Sequence, residues 1–242
     1  MKFNQIRRLA WDTETTGTNP LEARIVTAAL VVRGGGLEDR TFSYLINPQV
    51  PIPPETTAVH GIDDARAQAE GADPKQALEE IAGHLAAALT YGMPVVAFNH
   101  SYDWTVLNCD LERHSLPTMA DRIDGEPYTL LDPHVIDRQV TPRVRGKGAR
   151  KLKPTCERYG VALEDWHTAE ADALAALLLA DTMFDYHPQL AAMGPQQLFA
   201  AQRAWRAEQQ ASLQEFLRQS DPSVVCATEW PLLPAQRDGG QS

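Results

Sequence analysis

The stretch LAWDTETTG at residues 9–17 is the feature that most limits how this chain can fold. An apolar run leads directly into Asp12 and Glu14, and the segment ends in a turn at Gly17. Strand side chains alternate between two faces, so a strand that continues through these positions points both carboxylates to the same face. Like charges held side by side repel each other, and each raises the pKa of the other. The pattern therefore implies that something compensates for this repulsion.

Length and composition are typical of one globular domain with a sizeable core. The chain has 242 residues, of which 43% are hydrophobic and 22% charged. No apolar run approaches the roughly 18 residues that a membrane span needs, and the start, MKFNQIRR, lacks the apolar region of a signal peptide. We therefore expect a cytoplasmic protein with no membrane partner. The three cysteines, Cys109, Cys156 and Cys226, form no CxxC pair, which favours reduced thiols over a zinc site.

The charge distribution is uneven. The net charge of −10 argues by itself against nucleic acid as a partner. In one segment, residues 138–153, every charged residue is nevertheless basic. These residues are Arg138, Arg143, Arg145, Lys147, Arg150, Lys151 and Lys153. Two interpretations of this basic segment stay open: a solvated loop, or a surface that contacts nucleic acid.

The order of apolar segments indicates an α/β protein. Residues 9–14, 25–33 and 41–46 are typical of strands, and Asp73-Pro74 is typical of a helix start. A buried strand at 94–98, a helix after it, a short strand near 130–132 and helices around 154–159 and 169–183 follow. Strands first and then alternating helices and strands predict a central sheet flanked by helices.

Further polar residues stand at the ends of the predicted core elements. Asn99 follows a buried strand, and Asp103 lies in the first turn of the next helix, where the helix dipole favours a carboxylate. His167 precedes a helix that carries Asp172 five residues later. The four acids and the histidine could therefore converge on one site.

These segments resemble the motifs of a known enzyme family. DTETTG, the N-x-x-x-D within AFNHSYDWTVL and the H-x-A-x-x-D-A of HTAEADA resemble the three motifs of the DEDDh family of 3′ to 5′ exonucleases. INPQVPIPPETTAVHGI at residues 46–62 adds a fourth resemblance, in the family's order and spacing. Four separate motifs are far more specific than any one of them.

The resemblance implies an RNase H-like fold with a mixed central sheet flanked by helices. It also implies that Asp12, Glu14, Asp103 and Asp172 bind two Mg²⁺ or Mn²⁺ ions and that His167 acts as the general base. Physical reasoning agrees, because carboxylates next to an anionic phosphodiester are tolerable only if divalent cations neutralise both. A histidine with a pKa near 6.5 can accept a proton from water at neutral pH.

The resemblance also suggests which residues contact the substrate. The turn residues Thr13, Thr15, Thr16 and Gly17 should contact the 3′-terminal nucleotide, and His60 and Ile62 the terminal base or its neighbour. Asn99 should hold the strand-to-helix turn or the substrate backbone. Independently of the resemblance, the charge distribution makes Arg145, Lys147, Arg150 and Lys151 the candidates for phosphate contacts in the basic segment. The other five histidines have no motif around them and are interpreted as structural.

We divide the chain into an exonuclease domain (residues 1–188), a C-terminal helical extension (189–230) and a disordered tail (231–242). The expected activity is release of nucleoside 5′-monophosphates from the 3′ end of single-stranded nucleic acid, with DNA favoured. Two alternatives remain, an RNA-trimming exoribonuclease and a proofreading or binding subunit of a DNA polymerase. The amphipathic segment 195–219 is expected to pack on its own domain or on a second copy, with a polymerase as the less favoured partner.

Overall fold

The computed structural model describes residues 2–162 and 168–235. A short 3-10 helix, Phe3–Gln5, precedes five strands and ten α-helices of the described residues. The strands are β1 (Arg8–Thr15), β2 (Ile25–Arg33), β3 (Arg40–Leu45), β4 (Val95–Val96) and β5 (Leu130–Leu131). The helices are α1 (Pro54–His60), α2 (Asp64–Glu70), α3 (Pro74–Thr90), α4 (His100–Arg113), α5 (Met119–Arg122), α6 (Pro133–Val140), α7 (Leu152–Arg158), α8 (Ala169–Tyr186), α9 (Pro188–Ala191) and α10 (Pro195–Arg218).

The five strands form one mixed sheet in the order β3-β2-β1-β4-β5. Strand β1 pairs antiparallel with β2, and β2 pairs antiparallel with β3. On the other side β1 pairs parallel with β4, and β4 pairs parallel with β5. The central position of β1 explains its apolar start, because both of its edges and both of its faces are covered.

The alternation of side chains along β1 connects the sheet to two helical layers. Leu9 and Trp11 are buried with residues of α3 and α4 on one face. Ala10 is buried with residues of α7 and α8 on the other face. Asp12 and Glu14 continue the Ala10 series, so both carboxylates point toward the α8 layer. This confirms the prediction that they share one face.

Most of the predicted elements are confirmed. The three opening strands, the helix after Asp73 and the helix over 195–219 lie where the sequence predicts them. Asp73 caps α3 by accepting a hydrogen bond of 3.1 Å from the backbone nitrogen of Gln76. The strand predicted at 94–98 is shorter, because only two of its residues pair with neighbouring strands. Helices α1, α2, α5, α6 and α9 were not predicted.

The C-terminal helix packs against the rest of the domain. Phe199 of α10 and Trp230 after it are buried in the same core as Trp11. Of the expected tail, residues 231–235 are described and have no helix or strand, but the backbone nitrogen of Leu233 donates to Oγ1 of Thr105 at 3.0 Å. Among the described helices, none has the length and apolarity that crossing a membrane requires.

Candidate active site

Three of the four predicted acids come together at the end of β1. Single carboxylate oxygens of Asp12, Glu14 and Asp172 all lie within 4.8 Å of one another, and all three residues are partly buried. β1 contributes the first two, and the first turn of α8 contributes Asp172. Thr168 caps this helix, since its side chain accepts a hydrogen bond of 3.2 Å from the nitrogen of Ala171. The positive end of the α8 dipole favours a carboxylate at Asp172.

The fourth acid, Asp103, is held from the opposite face of β1. Its Oδ1 accepts hydrogen bonds from the backbone nitrogen of Thr13 at 3.1 Å and from the Thr13 hydroxyl at 2.6 Å. Asp103 is buried in the first turn of α4. Thr13, predicted to contact substrate, therefore has its hydroxyl engaged with a catalytic candidate.

The negative charges of neighbouring acids help to raise the pKa values of Asp12 and Glu14. Burial, followed by the negative charges of Asp103, Asp172 and Glu14, raises the pKa of Asp12 well above its ordinary value. Burial and the charges of Asp172 and Asp103 raise the pKa of Glu14 to about 7. Burial raises the pKa of Asp103 to about 7, although its hydrogen bonds with Thr13 act in the opposite direction. Without a compensating cation, this cluster resists full ionisation at neutral pH.

The donor set fits a hard divalent cation. All members are carboxylates, which Mg²⁺ and Mn²⁺ prefer, and no cysteine belongs to the cluster. The mutual repulsion that raises these pKa values is what a bound cation would remove. The predicted metal-binding role of Asp12, Glu14 and Asp172 is thus compatible with their geometry, and Asp103 lies close enough to change the ionisation of Asp12 and Glu14.

The turn after β1 is fixed by hydrogen bonds. The Thr15 hydroxyl donates to the carbonyl of Gly17 at 2.8 Å, and it lies 2.5 Å from the hydroxyl of Tyr102. The Tyr102 hydroxyl also bonds to the Gly17 carbonyl. Thr16 is held by Arg24, whose backbone nitrogen donates to the Thr16 hydroxyl at 2.9 Å. These bonds order the turn that was predicted to contact the terminal nucleotide.

The segment that carries His60 and Ile62 is a helix end rather than a simple turn. His60 is the last residue of α1, and Gly61 ends the helix with φ of 75°, a conformation that favours glycine. Nδ1 of His60 accepts a hydrogen bond of 3.1 Å from the nitrogen of Ile62. Burial lowers the pKa of His60, against an opposing effect from the backbone of Thr15, so His60 lies beside the end of β1. Ile62 is buried in a small apolar cluster.

The turn that precedes α4 depends on a residue that the sequence analysis overlooked, Asp132. Asn99 has φ of 62° and is the N-cap residue of α4. Its backbone nitrogen donates to Oδ1 of Asp132 at 3.0 Å, and that of His100 donates to Oδ2 at 3.0 Å. The same carboxylate caps α6 through the nitrogen of His134 at 3.0 Å. Asp132-Pro133 repeats the signature of Asp73-Pro74, which could have revealed it.

The C-terminal extension completes the surroundings of Asp132. The nitrogen of Asp132 donates to Oε1 of Gln202 at 2.8 Å, and Nε2 of Gln202 donates to the carbonyl of Leu130 at 3.0 Å. Nε1 of Trp230 donates to Oδ2 of Asp132 at 3.3 Å. The positive charge of Arg206 partly opposes the rise that burial causes in the pKa of Asp132. Nothing in the spacing of the C-terminal residues pointed to this network.

The basic residues predicted to bind substrate have different surroundings. Arg145, Lys147 and Lys151 are exposed. Arg150 instead forms an ion pair of 2.6 Å with the fully buried Asp137 and donates to the Thr141 carbonyl at 2.6 Å. Arg150 therefore stabilises the loop. His167, the predicted general base, lies outside the described residues.

Comparison with known proteins identifies the class. The family model described as Exonuclease, named RNase_T, matches residues 9–180. The chain therefore belongs to this exonuclease family. The matched range contains every acid of the site, so the resemblance found from the four motifs is confirmed at the level of the family.

Among the relatives are DNA polymerases III of the PolC type. Those from Streptococcus thermophilus and Streptococcus pneumoniae are 28% identical over 176 residues. The alignment covers 72% of this chain and 11% of each polymerase, so the chain spans about a tenth of the length of these relatives.

Solved structures confirm the predicted fold. E. coli Exonuclease I in complex with a dT13 oligonucleotide has a TM-score of 0.64 at 18% identity, covering 78% of this chain and 43% of that one. Exonuclease I from Methylocaldum szegediense has a TM-score of 0.62 at 20% identity, covering 87% and 45%. The mixed sheet flanked by helices is the RNase H-like exonuclease fold.

Proposed function

We propose that this protein is a metal-dependent 3′ to 5′ exonuclease that releases nucleoside 5′-monophosphates from single-stranded nucleic acid, with DNA favoured. The observation that carries the proposal is the convergence of Asp12, Glu14 and Asp172 within 4.8 Å in a member of an exonuclease family. Buried like charges cost free energy, and a fold retains them where a cation is to be bound.

Asp12, Glu14 and Asp172 would hold the divalent cations, with Asp103 as the fourth acid. The proposed complement is two Mg²⁺ or Mn²⁺ ions, which when bound neutralise the scissile phosphate and lower the pKa of the attacking water. Thr13 keeps Asp103 oriented through its two hydrogen bonds. His167 is proposed to accept the proton of that water.

The ordered turn at residues 15–17 is proposed to receive the 3′-terminal nucleotide. Tyr102 and Arg24 hold Thr15, Thr16 and Gly17 in place, so the turn would not need to become ordered on binding. Pre-ordering of this kind places the last phosphodiester against the acids with little loss of entropy.

Two observations favour DNA over RNA, and the first of them also keeps a polymerase subunit as the second candidate. The relatives are DNA polymerases of the PolC type, and the Exonuclease I structure holds a dT13 oligonucleotide. An RNA-trimming exoribonuclease remains the alternative within the same chemistry, since discrimination depends on contacts to the 2′ position.

One assay tests the proposal. Purified protein is incubated with matched DNA and RNA single strands labelled at the 5′ end, with Mg²⁺, with Mn²⁺ and in excess chelator. We expect a ladder of 5′-labelled products shortened from the 3′ end, mononucleotide products and no cleavage in chelator. Release of labelled mononucleotide from the 5′ end would contradict the direction, and full activity in chelator would contradict the metal requirement.

A matched pair of variants distinguishes the loss of a charge in the acid cluster from the loss of a charge elsewhere on α8. Asp172→Asn removes a charge from the acid cluster, whereas Asp185→Asn removes one from the same helix at a residue that pairs with Lys2 at 3.5 Å. We expect the first variant to lose activity and the second to retain it. Equal activity of the two variants would exclude the acid cluster as the catalytic centre.

A further inference from the structure

A large groove separates the basic segment from the C-terminal helix. Its volume is about 840 Å³, with residues of the loop between α6 and α7 on one wall and residues of α10 on the other. The family match ends at residue 180, so the α10 wall lies beyond the sequence shared with the family.

The groove is positively charged although the chain as a whole is acidic. Four basic side chains line it, Arg138, Arg145, Arg150 and Lys151, against one carboxylate, Glu208. Asp137 does not line the groove, and its carboxylate is occupied by Arg150 at 2.6 Å and by Arg158 at 2.8 Å. In a chain of net charge −10, such a surface attracts an anionic partner.

Arginine side chains lie close to one another along the α6 side of the groove. Burial and the charges of Arg150 and Arg206 lower the pKa of Arg138. Burial, Arg138, Arg206 and Arg150 lower the pKa of His134 to about 4, with Asp137 acting in the opposite direction. Nδ1 of His134 is buried with no hydrogen-bond partner in the described part of the chain. An anion in the groove would relieve the repulsion between Arg138 and Arg150.

The α10 wall adds an aromatic surface. Phe216 lines the groove and is 65% exposed. A basic groove with an exposed aromatic ring is the combination that binds single strands, because the cations follow the phosphates and the ring stacks on a base. An acidic protein segment would make use of the cations but would leave this ring without a stacking partner.

Two elements connect the groove to the acid site. Phe98 packs against His134, with ring centroids 5.3 Å apart, and it immediately precedes the Asn99 turn from which α4 and Asp103 start. Helix α7 begins directly after Lys151, and the charge of Asp172 contributes to raising the pKa of Cys156 in that helix. The Asn99 turn and helix α7 therefore connect the groove to the elements that carry or surround the acids.

We infer that the groove between the basic segment and α10 binds the single-stranded nucleic acid upstream of the 3′ end that the acids hydrolyse. Arg145 and Lys151 contact phosphates, and Phe216 stacks on a base. This inference rests on the proposed function for the polarity of the strand, but strand binding can be measured without hydrolysis.

Fluorescence anisotropy with labelled DNA strands of 5 and 30 nucleotides, protected by phosphorothioate linkages at the 3′ end, tests the groove in chelator. For the double variant Arg145→Glu/Lys151→Glu we expect at least a tenfold loss of affinity for the longer strand. The preference for the longer strand should largely disappear. Losing two phosphate contacts should reduce the slope of log affinity against log salt by about 1.4.

Phe216→Ala provides an independent signature. Loss of one stacked base should weaken binding about fivefold or more, while the salt dependence stays as in wild type. Arg203→Glu is the matched charge control, since Arg203 lies on α10 outside the groove lining, 3.7 Å from Glu126. We expect wild-type affinity for this control, and circular dichroism should show that all variants are folded.

The outcomes separate the inference from the proposed function. Wild-type affinity and salt slope in the double variant would overturn the groove as the binding path even if the enzyme cleaves DNA. Groove-dependent binding without cleavage of any strand would support the groove and contradict the proposed activity. Equal competition by a 30-residue poly-glutamate would overturn nucleic acid as the occupant.

Discussion

Both hydrogen-bond donors of Thr13 point at one oxygen of Asp103, with the backbone nitrogen at 3.1 Å and the hydroxyl at 2.6 Å. The two residues come from different elements, β1 and α4. The contact thus fixes one acid of the site relative to the strand that carries two others. Bonds to the ionised form also oppose the rise in the pKa of Asp103 that burial causes.

Thr13→Val should weaken the site without unfolding it. The substitution keeps the shape of the side chain and removes one charge-assisted hydrogen bond. Loss of a residue that orients a metal ligand typically costs 10- to 100-fold in metal affinity or activity. Titration of activity with Mg²⁺ measures the change, and Thr13→Ser, which keeps the hydroxyl, is the control. Identical Mg²⁺ titrations for Thr13→Val and wild type would show that the bond is not needed.

The stability of the metal-free protein should fall as pH rises from about 4.5 to about 7. Because the pKa of Glu14 is raised to about 7 in the folded state, the folded protein binds more protons than the unfolded chain in this window. The contribution of protonated Glu14 to the free energy of unfolding is fully present below about pH 4.5. Its loss by pH 7 and above is of the order of 3 kcal/mol for Glu14 alone. Melting in chelator at pH 5 and pH 7.5 measures it.

Glu14→Gln should remove much of this pH dependence, because the variant has no proton to release at position 14. The exposed Glu22→Gln serves as the control and should behave as wild type does. Adding Mg²⁺ at pH 7.5 should restore stability to wild type, since the cation compensates for the ionised acids. Parallel melting curves for wild type and Glu14→Gln across this pH range would contradict the assignment.

Asp132→Asn should lower both stability and activity. An amide in place of the carboxylate keeps one acceptor oxygen and turns a donor toward one of the two backbone nitrogens, that of Asn99 or that of His100. Disturbing a buried charged network typically costs about 3 to 5 kcal/mol. The turn that starts α4 should shift, so kcat should fall even well below the melting temperature. Asp121→Asn removes an exposed cap of α5 and should leave kcat unchanged.

His167→Ala should leave a small metal-dependent activity that Asp172→Ala does not. A general base contributes typically 10²- to 10⁴-fold, whereas loss of a metal ligand removes the activated nucleophile. Because the base must be neutral, the wild-type rate should fall as pH drops through a pKa near 6.5. The pH–rate profile of His167→Ala should lack this fall in rate at low pH, the acid limb of the profile. An unchanged limb at saturating Mg²⁺ would exclude His167 as the base.

The opening strands and the acids of the site could be predicted because their signals are local. Asp12 and Glu14 follow an apolar run with a period of two, and β1 is central in the sheet, so burial enforces the alternation. Asp73-Pro74 marks a helix start by the chemistry of the cap alone. Such features need no knowledge of distant residues.

The contacts between distant residues could not be predicted. Asp132 bonds Asn99 33 positions away, and it bonds Trp230 98 positions away. No periodicity relates these residues, and the polar character of Gln202 on an otherwise amphipathic helix suggests exposure rather than its complete burial. The short helix α1 was missed because the prolines at 53 and 54 and the two threonines that follow are typical of a turn.

The burial of Gln202 and Trp230 against Asp132 has a consequence for how this domain can be cut. A fragment ending at residue 188 would keep every acid but would leave the Leu130 carbonyl and the Asp132 amide without the partners that Gln202 supplies. It would also expose the core surface that Phe199 and Trp230 cover. The stretch that the family model matches, residues 9–180, thus ends before residues that complete the core. The boundary of sequence similarity and the boundary of the packed core therefore differ in this chain.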